Sequence, residues 1–80
     1  MKTYSQSKIQ LMGGTEFTDT FKVNSYVVIT LSDGAMIEGR IQEIGLAANF
    51  NPDTRDHLPV SIKVCDTNID ILKIQRVDVY

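Results

Sequence analysis

Asp53, Arg55, Asp56 and His57 crowd into five consecutive positions. A carboxylate beside an imidazole is a pairing that could ligate a metal or move a proton near neutral pH. The same stretch holds Asn49, Asn51 and Pro52, and all of these residue types favour turns, so a solvated loop is the expected setting. Cys65 is the single cysteine, which rules out an internal disulfide. No Lys, Arg or His adjoins it in sequence to lower its pKa, so an inert thiol is expected. One His and one Cys do not make a zinc site without further ligands. No Ser-His-Asp spacing, glycine-rich phosphate cradle or metal-ligand motif is present. The expectation is a chain that is not an enzyme, with no cofactor and no metal.

What remains are residues that bind rather than react. Tyr26, Val28, Met36 and Tyr80 fall on the strand register opposite the inferred core. Isolated apolar side chains on a surface are ordinary, but a contiguous patch marks an interface, and Tyr and Met are favoured at interface centres. In a strongly curved sheet both faces of a strand are partly buried, so some of this signal belongs to the core. A last strand ending at Tyr80 would also leave an open edge for another chain to pair with. The expected partner is a protein, or a second copy, engaged through that edge or through the Tyr26, Val28 and Met36 surface.

These residues need elements to position them. Val23, Ser25, Val27, Ile29 and Leu31 alternate with Asn24, Tyr26, Val28, Thr30 and Ser32, the period-2 pattern of a half-buried strand. Ser32-Asp33-Gly34 supplies a tight turn. Ile37, Gly39 and Ile41 then share one face of a second strand, with Glu38, Arg40 and Gln42 on the other. Gly39 permits a sharp bend or the close approach of another strand. The phase slips between Ile41 and Ile44, which predicts a bulge.

Residues 45–58 lose the alternation and read as a long loop, with a helical turn through Leu46-Ala47-Ala48. Val60, Ile62 and Val64 restore the alternation, Asp66-Thr67-Asn68 reads as a turn, and Ile69 and Ile71 begin a further strand. The Ile74 to Val77 spacing of three predicts a 3₁₀ turn before a final strand, Val77-Asp78-Val79-Tyr80. Residues 1–22 read as an N-terminal extension. It is either a short helix over residues 4–12 that stops at Gly13-Gly14, or a strand through Ile9 and Leu11 that returns through Phe17. The domain proper is residues 23–80.

Composition bounds the rest. Eighty residues, 42% hydrophobic and 22% charged, make one ordinary globular domain with a thin core. A net charge of −2 with scattered basic residues is no footprint for nucleic acid. No apolar run approaches a membrane span, the first residues lack a secretion signal's apolar stretch, and a lone thiol suits a reducing compartment, so a cytoplasmic location is expected. Five short strands, a long loop and a 3₁₀ turn predict an all-β, strongly bent small barrel.

The run Val27-Val28-Ile29-Thr30-Leu31-Ser32-Asp33-Gly34, followed by Ile37-Glu38-Gly39-Arg40-Ile41, resembles the first motif of the Sm-like proteins. In that family a strand ending Leu-x-Asp-Gly leads into a strand with a glycine before Arg or Lys. The match covers about 20 of the 80 residues and is shared with other SH3-like barrels, because it encodes a turn and a bend. The resemblance implies an SH3-like or Sm-like five-stranded barrel and, as the alternative function, an oligomeric ring that binds RNA. Asn49, Phe50 and Asn51 resemble the family's base-contacting loop. In the second motif Cys65-Asp66 stands where the family has Arg-Gly, so the arginine that would contact a base or phosphate is missing. RNA is therefore a possible partner but not the favoured one.

Overall fold

The computed structural model describes residues 1–53 and 55–80, and of Asn51 it describes the backbone alone. Six strands make one antiparallel sheet: β1 (Lys2–Ser5), β2 (Tyr26–Leu31), β3 (Met36–Asn51), β4 (Asp56–Val64), β5 (Thr67–Asp70) and β6 (Ile74–Val79). Two short helices, α1 (Gln6–Gln10) and α2 (Gly14–Thr20), lie between β1 and β2, and a 3₁₀ turn (Ile71–Lys73) joins β5 to β6. Strand makes up 56% of the chain. The strand order is β1-β6-β2-β3-β4-β5, and the ladder stays open, with β1 and β5 at its two ends. No helix among the described residues is long and apolar enough to cross a membrane.

The β2–β3 hairpin forms where strict alternation predicts it. Val27 and Ile29 are fully buried, and Val27 pairs with Gly39 and Ile29 with Ile37. Gly34 closes the turn at a φ of 91° while the Asp33 carboxylate accepts from the Ala35 N–H at 2.9 Å. The strand itself starts at Tyr26, later than Val23, because the chain first turns through Asn24 at a φ of 76°.

β3 then passes from one half of the sheet to the other. It pairs with β2 through Arg40 and with β4 from Ile41 onward, with register shifts after Ile41, Gly45 and Leu46. Gly39 sits at the crossing. A Cβ there would lie 3.1 Å from both Val64 Cγ1 and Cys65 Sγ, so these side chains would have to give way by a few tenths of an ångström. Ile41, Ile62 and Val64 line the core from this half, and Ile74 and Val77 from the other.

The expected loop over residues 45–58 is not there. β3 and β4 run on as a hairpin that leaves only residues 52–55 between them. Three irregularities within β3 break the period-2 phase, and its far end carries Ala and Asn, so the alternation fades although the pairing continues. The next turn falls at Cys65-Asp66, with φ values of 54° and 58°, rather than at Asp66-Thr67-Asn68. Two left-handed residues make the primed turn that suits a two-residue hairpin. The Gln42 amide holds it from both sides, accepting from the Asp66 N–H at 2.7 Å and donating to the Asp66 carboxylate at 3.0 Å. The 3₁₀ turn also falls earlier than predicted, at Ile71–Lys73, where the Asp70 carboxylate accepts from the Leu72 N–H at 2.9 Å.

Residues 1–22 contain both kinds of element. β1 pairs with β6, which makes six strands rather than five and covers the edge that the last strand was expected to leave open. Ser5 caps α1, accepting weakly from the Lys8 N–H at 3.4 Å, and Ile9 and Met12 turn one face inward. Phe17 on α2 and Phe21, the residue that ends it, are fully buried with their ring centroids 4.7 Å apart. Burying each ring contributes roughly 1.5–3 kcal/mol. Phe17 is thus helical rather than part of a returning strand.

Candidate interaction surface

β1, β6, β2 and the first part of β3 lie side by side and share an outward face. The registers set its rows. Ser5 lies opposite Arg76, Arg76 opposite Thr30, and Thr30 opposite Met36. In the next row Thr3, Asp78, Val28 and Glu38 follow one another in the same way. Beyond them the Tyr80 N–H donates to the Tyr26 carbonyl at 3.0 Å, and Tyr26 lies opposite Arg40.

The four residues picked out by the strand register therefore converge on one surface. The Tyr26 and Tyr80 rings meet edge to face, with centroids 5.8 Å apart. Tyr26, Met36 and Tyr80 are 38%, 62% and 66% exposed, whereas Val28 is 9% exposed and acts as floor. Val28, Met36 and Tyr80 line one hollow of about 550 Å³ together with Glu38, Arg76 and Asp78. A second hollow of about 550 Å³ adjoins it, sharing Met36 and Arg76 and bordered by Ser5, Ser7 and Thr30.

The polar groups here are fixed. Asp78, although on the outward face, is only 7% exposed. Its carboxylate accepts from the Thr3 hydroxyl at 2.6 Å and pairs with Arg76 Nε at 3.3 Å. A covered charge needs such partners, because losing water costs it several kcal/mol. The Tyr26 hydroxyl donates to Glu38 Oε2 at 2.9 Å, which holds the phenol above its ordinary pKa by stabilising the protonated form. Arg40 Nη1 donates to the Asn24 carbonyl at 2.8 Å. Arg76, Asp78, Thr3 and Thr30 were not singled out from the sequence. Arg76, Asp78 and Tyr80 do share a period-2 register, but that signal is lost when the last strand is begun at Val77.

The acidic and histidine cluster is occupied with structure. Asp56 accepts from the Thr15 N–H at 2.9 Å and from the Thr15 hydroxyl at 3.2 Å. His57 Nδ1 lies 2.9 Å from the Ala47 carbonyl, which can only accept, so Nδ1 carries the proton. No group of three His, Cys, Asp or Glu residues among the described residues could hold a metal ion. Cys65 is exposed, and its thiol donates to the Glu38 carbonyl at 3.3 Å.

Asn49 and Phe50 are exposed on the far part of β3 and contribute nothing to the outward face described above. Phe50 packs edge to face on His57, with centroids 5.3 Å apart. The side chain of Asn51 lies outside the described residues. Exposed Leu58 and Leu72 flank a smaller apolar hollow floored by Ile9, Met12 and Ile71, which strand periodicity did not point to. No protein-family model, no curated protein and no solved structure matches this chain.

Proposed function

We propose that this chain is a non-catalytic protein-binding module whose docking surface is the outward face of β1, β6, β2 and the start of β3. The observation that carries the reading is the convergence of Tyr26, Met36 and Tyr80, all exposed, around two adjoining hollows. Charge supports a protein over a nucleic acid. The face sets Arg40 and Arg76 against Glu38 and Asp78, which sums to zero, and phosphate binding needs a surplus of cations. We further propose that the bent sheet is a small barrel of the SH3-like or Sm-like kind, in which the 3₁₀ turn carries the chain from β5 back to β6 beside β2. Self-association through an edge is the lesser route, since the two edges, β1 and β5, are four residues each and short edges resist pairing. The single thiol supports a cytoplasmic setting.

The test is site-specific photo-crosslinking in the native cell, with the reactive group placed at Met36 in one protein and at Phe50 in another. Protein adducts from position 36 that vanish on adding Tyr80→Glu are expected. Absence of protein adducts at 36 would overturn the proposal, and RNA adducts from 50 would overturn it in favour of RNA binding.

A further inference from the structure

The hollow bordered by Ser5, Ser7, Thr30 and Arg76 has a chemistry of its own. Every side chain lining it is neutral or cationic: Ser5, Gln6, Ser7, Thr30, Met36, Gln75 and Arg76. The one charge is the guanidinium of Arg76. Its Nε edge is engaged by Asp78, whose other oxygen is engaged by Thr3, so the arginine is held in orientation at a half-exposed position. No hydrogen bond to its two terminal nitrogens is present among the described residues, and the ion pair with Asp78 is made at Nε. They form a planar fork of N–H groups that matches the two oxygens of a carboxylate.

Thr30 adds a second observation. Its Oγ1 is buried and has no hydrogen-bond partner. Buried polar atoms are nearly always paired, so an orphan hydroxyl beside a preoriented guanidinium is unusual. Its cross-strand neighbours are the fixed Arg76 on one side and the flexible, exposed Met36 on the other, so the cover over the hydroxyl can part on the Met36 side. Ser5 and Ser7 share one hydrogen bond at 3.2 Å, which leaves one of their two protons free to donate toward the hollow. Donors outnumber acceptors, and no acid lines the site.

On the reading that this face docks a protein, we infer that the Arg76 hollow receives the side-chain carboxylate of an acidic residue within an extended peptide. The hollow adjoins the one beneath Val28 and Tyr80 and shares Met36 and Arg76 with it. A bound chain therefore runs on past Arg76, so the carboxylate comes from a side chain rather than from a chain end. The acid pairs with the Arg76 fork and accepts from Thr30, while a neighbouring apolar side chain packs on Met36 and Val28.

The experiment is selection of displayed random peptides on the full chain, repeated with Arg76→Gln and with Thr30→Val. Thr30→Val keeps the shape and leaves the Arg76–Asp78 pair intact, so it stays informative even if Arg76→Gln fails to fold. The native chain is expected to enrich peptides with Asp or Glu at one fixed position. Exchange of that acid for its amide should weaken binding at least about tenfold, in keeping with loss of a charge-assisted hydrogen bond. Arg76→Gln should lose the acidic preference and Thr30→Val should weaken it, and both should still select apolar residues. Apolar enrichment without an acid, or an acidic preference that survives both variants, overturns this inference and spares the docking surface. Failure to enrich any peptide overturns both.

Discussion

The carboxylate of Asp56, at the start of β4, accepts from the backbone N–H of Thr15, in the first turn of α2, at 2.9 Å. Gly13, the residue before the helix, has no side chain to cap it, so the cap arrives from 41 positions away. Asp56 thereby ties the N-terminal helices to the far hairpin. The Thr15 N–H, with help from the His57 N–H and the Thr15 hydroxyl, also holds its carboxyl below the ordinary aspartate pKa.

That bond makes part of the stability acid-sensitive. The folded pKa lies below the unfolded one, so the contribution is complete above the unfolded value and fades as pH falls through the folded one. Asp56→Asn should lower the urea midpoint at pH 7, and the gap from the native chain should shrink below about pH 4, near the ordinary carboxylate pKa. A gap that is constant from pH 7 to pH 3 would show that the charge plays no part.

Ile29 is fully buried at the centre of β2. Ile29→Ala should destabilise by roughly 2–5 kcal/mol, measured by urea unfolding, because the cavity adds to the lost burial. A cost below about 1 kcal/mol in a folded variant would contradict the β2 register.

Gly14 opens α2 directly against β4. A Cβ there would collide with the His57 carbonyl oxygen and press on Leu46 Cδ2. Gly14→Ala should cost roughly 1–3 kcal/mol, as overpacking does, even though alanine is the better helix former. A stabilised variant in thermal unfolding would mean that α2 can move off the strand.

Light scattering behind a sizing column should give the mass of one 9.0 kDa chain. β6 is flanked by β1 and β2, and the edges that remain are short. A closed ring of several subunits would restore the RNA-binding alternative and make Asn49 and Phe50 the next residues to change.

The hairpin of β2 and β3 was legible because each residue type agrees with its face, from Val27 and Ile29 inward to Tyr26 outward. The slip after Ile41 was legible as well, and it is the point where β3 changes partner. The long hairpin beyond it was not. Irregular pairing between Leu46 and Phe50 erases the period on which a strand assignment depends. The turn at Cys65-Asp66 was hidden for another reason. Asp66 reads as a turn former but Cys65 does not advertise a left-handed backbone, and what holds the turn is the side chain of Gln42, distant in sequence. Asp56 and His57 looked like chemistry because the residues that occupy them, Thr15 and Ala47, are remote in sequence. The strand register placed Tyr26, Val28, Met36 and Tyr80 on the same side of the sheet, whereas the contacts of Arg76 and Asp78 depend on the pairing with β1.

Lys2 lies opposite Val79, and Met1 and Tyr80 border the same hollow. A handle attached at residue 1 or residue 80 therefore departs from the rim of the face proposed above for docking. The described residues of the β3–β4 hairpin end line neither hollow of that face, so a handle placed there departs from elsewhere on the sheet.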